Sequence, residues 1–233
     1  MFDRSANEGR VGEMHFKLTD QNGRSRNRVA TLVHSDKDDV VKIAIHFTSP
    51  AAISETAFLS HDYLDESDET WLYLPATDRV RRLPSSDRGD AFMGTDLTYG
   101  DVKDNFKFQL DDWNFAEGGQ VSKNGQTLLE LSGNSTDSAR EEIGYGSFEA
   151  LIDAKTLFPV EILYTDVDGA PLKKLEVLEQ SIVGGAWTAM HFRAENLQTG
   201  HSTVIELKDM RYEPSLDSDF LEADMLDEGA PDL

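Results

Sequence analysis

Not one of the 233 residues is cysteine. That absence excludes disulfide staples, thiol nucleophiles and cysteine-ligated metal centres. Basic residues are scarce: 22 Lys and Arg stand against 44 Asp and Glu, a formal net charge of -22. Such a surface has no affinity for nucleic-acid phosphates and gains nothing at anionic lipid headgroups. It serves solubility, or else meets a specific basic partner. No apolar run is long enough to span a bilayer. The opening Met1-Phe2-Asp3-Arg4 lacks the apolar region of a secretory leader. Two readings follow: a cytoplasmic protein, or an exported one whose leader has been removed.

Catalytic and metal-binding motifs are missing too. Of the six histidines, His15, His46, His61 and His191 fall in strand-like stretches, and no two are spaced to chelate one ion. Ser85-Ser86-Asp87-Arg88-Gly89 lacks the strand–turn–helix context of a nucleophile elbow. It reads as an ordered loop in which Asp87 accepts hydrogen bonds and Arg88 pairs with a carboxylate. Ser85, Asp87 and His61 are the only loosely plausible hydrolytic set. Asp166-Val167-Asp168-Gly169 does not match a calcium loop and reads as a hairpin turn. No phosphate-cradling glycine motif is present. The expectation is a non-enzymatic protein with no cofactor and no metal.

What is there is alternation. Met14, Phe16 and Leu18 share one face of a strand, and Glu13, His15 and Lys17 the other. Asn22-Gly23 turns the chain into Arg24–His34. Val41, Ile43, Ile45 and Phe47 oppose Lys42, Ala44 and His46; Thr56, Phe58 and Ser60 oppose Ala57, Leu59 and His61. Trp71 opens a fifth strand that Pro75 ends. A short helix is expected over 95–102, capped by Thr95 or Asp96. Further strands are expected at Asn105–Asn114, Thr127–Ser132, Tyr145–Asp153, Phe158–Thr165, Leu172–Ile182, Trp187–Asn196 and Ser202–Tyr212. About ten or more antiparallel strands joined by tight turns must curl into a barrel or half-barrel, or split into a sandwich. One domain is expected over 1–226, with an acidic, frayed tail at 227–233.

Everything else looks arranged to hold the stretch from Trp71 to Val102. It carries a basic cluster, Arg79, Arg81 and Arg82, in an acidic chain. Alternation sets Arg79 and Arg81 on one face and Arg82 on the other. The cluster either receives a lipid headgroup or acidic partner, or pairs with nearby acids. Phe92 and Met93 sit inside a polar loop, and are either a plug over the sheet or part of the core.

Four stretches resemble the outer-membrane lipoprotein-sorting protein family, whose members have a LolA-like fold. They are FTSPAAISETAFLSHDY (Phe47–Tyr63), DETWLYLPATDRVRRLPSSDRGDAFMGTDLTYGDV (Asp68–Val102), ALIDAKTLFPVEILYTDVDG (Ala150–Gly169) and AENLQTGHSTVIEL (Ala194–Leu207). The resemblance implies a mainly β fold: a curved antiparallel sheet forming an incomplete half-barrel, with short helices and loops over its concave face. It also implies residence in the periplasm. The implied function is to carry or hold a lipid, acyl chain or lipoprotein in an apolar cavity, in outer-membrane lipoprotein sorting or envelope lipid transport. Phe16, Phe58, Trp71 and Tyr73 are then expected to line the cavity, with Phe92 and Met93 as lid. The alternative is an accessory protein of an inner-membrane export system that docks through Arg79, Arg81 and Arg82. Contact with a membrane would be transient at most.

Overall fold

The computed structural model describes residues 9–37, 40–64, 67–213, 216 and 218–230. The leading Met1–Arg4 and the last three residues of the expected acidic tail lie outside the described residues.

Thirteen antiparallel strands form one open sheet. The first six are β1 (Arg10–Thr19), β2 (Ser25–Lys37), β3 (Val40–Ser49), β4 (Ala57–Tyr63), β5 (Glu69–Leu74) and β6 (Arg79–Arg82). Helix α1 (Tyr99–Asp104) precedes β7 (Trp113–Lys123) and β8 (Gln126–Ser135). Helix α2 (Arg140–Ile143) precedes β9 (Ser147–Asp153), β10 (Pro159–Thr165), β11 (Pro171–Val183), β12 (Ala186–Asn196) and β13 (Ser202–Tyr212). Strands β1–β6 form one meander of sequence neighbours and β7–β13 another, and β1 pairs with β13 to join the two. That one long-range pairing leaves β6 and β7 at opposite edges. The chain between them, residues 83–112, must therefore travel from one edge of the sheet to the other. It does so across the concave face, as a roof.

Alternation sorts side chains between two apolar layers. Phe16, Ile45, Phe47, Phe58 and Leu72 face the roof, together with inward residues of the second meander such as Phe148, Ile162 and Ile205. The opposite face of β3–β6 carries Ala44, Ala57, Leu59 and Tyr73, and there Leu221 and Leu226 of the C-terminal segment cover it. Both faces of β4 are thus buried, so its sequence is apolar on both parities.

Two local expectations are corrected. Asn105–Asn114 is not a strand. Asn105 and Phe106 have φ of 45° and 64°, a left-handed pair that cannot extend a sheet. Phe106 and Phe108 instead point down from the roof. Phe106 meets Phe192 at 5.0 Å, and Phe108 stacks on Phe148 at 4.1 Å. The helix begins later than expected, with Thr98 as its cap rather than Thr95 or Asp96: the Asp101 amide donates to Thr98 Oγ1, and the Thr98 amide to Asp101 Oδ2. Arg79–Arg82 forms the edge strand β6. Its alternation holds, with Arg81 opposite Leu72 and Arg82 opposite Trp71. Finally, β7 had no alternation to betray it, being an edge strand exposed along most of its length.

Candidate functional site

The roof is built from short pieces pinned one at a time. Its first 3-10 turn, Ser85–Asp87, lies against α2, where Ser85 Oγ donates to Glu142 at 3.4 Å. Gly89 passes so close to α2 that a Cβ there would sit 3.1 Å from the Glu142 carbonyl oxygen. Ala91 and Thr98 then pair, closing a loop whose tip is Phe92 and Met93. The loop folds back because Met93 and Gly94 are left-handed, with φ of 49° and 71°. Phe92 is fully buried, 5.3 Å from Phe58 and 5.6 Å from Tyr99, with Phe47 at 6.0 Å.

Polar side chains fix the roof to the sheet. Arg28 of β2 donates to the Met93 carbonyl. Asp96 accepts from Thr203 Oγ1 and lies beside His201 Nδ1, both at 2.7 Å. Asp101 of α1 lies 2.6 Å from Lys173 Nζ of β11 and accepts from Tyr145 Oη at 2.9 Å, while Lys173 also donates to Tyr145. Tyr145 and Tyr164 stack at 4.3 Å. Burial first, and then the Asp101 carboxylate, push both phenols well above the ordinary tyrosine range, so both stay neutral. Lys103 sits 2.5 Å from Asp68, 3.0 Å from Asp104 and 3.6 Å from Asp62. Burial alone would lower its ammonium, but Asp104, Asp62 and Asp68 outweigh that and hold it above its ordinary value. Arg88 pairs with Asp112 at 2.5 Å, the pairing with a carboxylate expected of this loop.

Under α1 and the residues after it lies a cavity of about 100 Å³. Its walls are mostly apolar, with Met14, Ile45, Phe106, Trp113, Ile162 and Leu207 among them. Arg88, Asp101, Lys107 and Asp112 stand among its polar wall residues. A smaller pocket of about 30 Å³ shares His34, Asn105, Lys107 and Ala189 with it, so the two abut. Among the described residues no group of three or more His, Asp or Glu side chains is arranged to hold a metal ion. None of the described helices is long and apolar enough to cross a membrane.

The residues expected at a ligand site part company here. Phe16, Phe58 and Phe92 meet in the core beneath the roof, and Met93 packs against it. Trp71 and Tyr73 lie on the other face of the sheet, in the layer covered by Leu221 and Leu226. The cavity is lined by other residues than these six. Arg79 and Arg81 are exposed on the roof side of the edge strand and form no ion pair among the described residues. Arg82, on the opposite side, reaches Glu69 at 3.0 Å. Ser85, Asp87 and His61 are not assembled: His61 Nε2 is taken by the Leu221 carbonyl at 2.7 Å, and Ser85 by Glu142. The Asp101–Lys173–Tyr145 cluster was missed. Its one trace in the sequence is Lys173, a charge sharing the inward parity of Leu175.

A family model described as "Uncharacterized protein" matches residues 39–228. No curated protein matches the chain. Among solved structures, it is similar to a domain from Vibrio parahaemolyticus assigned to the outer membrane lipoprotein-sorting proteins. The two are 27% identical, with a TM-score of 0.85, over 94% of this chain and 92% of that one. A DUF1329 family protein from Desulfovibrio piger is 24% identical with a TM-score of 0.84, over 94% and 92% of the two chains. A LolA superfamily protein from Nitrosomonas europaea is 16% identical with a TM-score of 0.70, over 95% and 93%. The half-barrel expected from sequence is thus a LolA-like fold.

Proposed function

The chain belongs to that family of uncharacterized proteins, and on its LolA-like fold we propose that it is a non-enzymatic periplasmic carrier or holder of a lipid, acyl chain or lipoprotein. One observation carries this reading: an apolar cavity held between the open sheet and a separately pinned roof. Apolar ligands bind by leaving water for such a space. A cavity of about 100 Å³ has room for roughly seven to ten methylene-sized groups. A short acyl stretch fits as the protein stands; a longer chain requires the roof to lift. The neighbour from Vibrio parahaemolyticus, which carries a lipoprotein-sorting assignment, supports the same class of cargo. The test is native mass spectrometry of protein purified gently from its own envelope, followed by organic extraction. A retained lipid of defined mass is expected. An empty protein that also fails to bind added fatty acids would sink the reading.

A second reading has its own observation. Arg79 and Arg81 stand exposed and unpaired among the described residues, on an edge strand of a chain with net charge -22. They suit an acidic surface of an inner-membrane export protein. Charge reversal at both positions should then abolish pull-down of that protein and leave the thermal melt unchanged. Unaltered pull-down would remove this docking role.

A further inference from the structure

The smaller pocket carries a charge that its surroundings leave incompletely met. Arg10 opens β1 on the inward parity and is nine-tenths buried. Its Nη1 donates to Thr188 Oγ1 at 3.1 Å, and its Nη2 lies 3.2 Å from each ring nitrogen of His34. Its Nε is buried and has no hydrogen-bond partner. No carboxylate lies within ion-pair distance of it among the described residues. Burial lowers this guanidinium from its ordinary value, and only the more distant Asp36 pulls it back. Lys107, on the same pocket wall, also forms no ion pair among the described residues. Asp36 is the one acid on that wall, so Arg10 and Lys107 leave it net positive.

A desolvated guanidinium with a free N–H is an incomplete hydrogen-bonding set, and its complement is an anionic oxygen. The pocket's volume of about 30 Å³ has room for roughly two water-sized groups, enough for two oxygens of an anionic head turned toward Arg10. The apolar cavity begins on its other side, across the shared Lys107, His34, Asn105 and Ala189. We propose that the cavity takes an anionic amphiphile: its apolar chain lies under the roof, and its carboxylate or phosphate head sits against Arg10 and Lys107. This rests on the carrier reading and narrows it to a ligand class.

The experiment is titration calorimetry of the whole chain with four ligands sharing one apolar tail: octanoate, octyl phosphate, octanol and octyltrimethylammonium. Acetate and inorganic phosphate serve as tail-free probes. One or both anionic amphiphiles should bind about tenfold to a hundredfold tighter than octanol, the margin of charge-assisted hydrogen bonds. Which of the two binds tighter identifies the head. Arg10→Gln and Lys107→Gln should each shrink that margin while octanol binding stays. Should Arg10→Gln fail to fold by circular dichroism, Lys107→Gln decides, and a margin it leaves intact overturns the proposal. Octanol equal to or tighter than both anions overturns it and leaves the carrier reading standing, as does preference for the ammonium. Acetate or phosphate binding as tightly as its octyl counterpart makes this a free-anion site and refutes the tail assignment. No binding by any of the four removes both readings.

Discussion

Replacing Lys173 by methionine tests whether the roof is latched by its buried ion pair. Lys173 and Asp101 side chains are 5% and 8% exposed, with 2.6 Å between Nζ and Oδ2. Methionine fills most of the lysine volume, so the change deletes a charge and leaves little cavity. Removing one member of a buried pair costs about 3–5 kcal/mol, because the other charge is left desolvated. Asp101 keeps two donors, the Thr98 amide at 2.8 Å and Tyr145 Oη at 2.9 Å. The expected loss is therefore at the low end, about 3 kcal/mol. Urea unfolding at neutral pH, followed by tryptophan fluorescence, should show the midpoint falling by roughly 1–3 M at a typical slope. Lys173→Met combined with Asp101→Asn should lose less than the two single losses added together, the mark of a shared interaction. If Lys173→Met unfolds within about 0.5 kcal/mol of the parent, the pair is not a latch and the roof is held by its apolar contacts.

The remaining predictions address packing and pH. Phe92→Ala removes a fully buried ring packed on Phe58 and Tyr99 and should cost about 3–5 kcal/mol by chemical denaturation; a loss below about 1 kcal/mol would mean the loop tip is not part of the core. Gly133→Ala would place a Cβ 2.5 Å from the Phe148 ring, which Phe108 and Trp113 hold at 4.1 Å and 4.8 Å, so it should destabilise by about 1–3 kcal/mol; an unchanged melting temperature would contradict that rigidity. His46 is buried with neither ring nitrogen hydrogen-bonded, and burial lowers it to about 4. Its folded value lies below its unfolded one, so its full stability is present above about pH 6.5 and declines as pH falls toward 4, by about 2 kcal/mol at pH 5. His46→Leu should remove that share of the slope, and a stability difference between the two proteins that stays flat from pH 7 to pH 5 would refute it.

Strands declared themselves wherever one face was apolar and the next residue was not. In β3, Ile43, Ile45 and Phe47 fall in the layer under the roof, and Ala44 in the other, as their alternation required. The turn at Asp166–Gly169 was equally plain: Asp166 Oδ1 accepts from the amides of Asp168 and Ala170, and Gly169 takes a φ of 87°. What stayed hidden depends on the single pairing of β1 with β13. That pairing makes β6 and β7 the edges and sends residues 83–112 across the sheet, and nothing local to either edge announces it. Phe106 and Phe108 show the same limit: their spacing suits a strand, but the left-handed backbone at Asn105 and Phe106 turns them into roof residues. Trp71 and Tyr73 were as apolar as Phe58; only the C-terminal segment behind them decided that they face away. The Asp101–Lys173 pair spans 72 positions, and the Asp101–Tyr145 contact 44, so neither leaves a pattern that spacing rules can read.

In the carrier reading, the placement of charge bears on how a roof would be both specific and movable. The chain is strongly acidic, yet Lys103 and Lys173 are among its buried residues, and both form ion pairs where the roof meets the sheet. Buried ion pairs add little net stability, because the desolvation of both partners offsets most of their attraction. Their geometry nevertheless tolerates few alternatives, so they set where the roof rests without holding it down strongly. The apolar contacts around Phe92, Phe106 and Phe108 act differently. Exposing them costs about 25 cal/mol for each Å² uncovered, with no hydration gain in return. An acyl chain sliding under a lifted roof would restore that apolar contact, and water would rehydrate the parted charges. In the carrier reading, the ionic latches therefore give the roof its register, and the aromatic layer makes its opening depend on cargo.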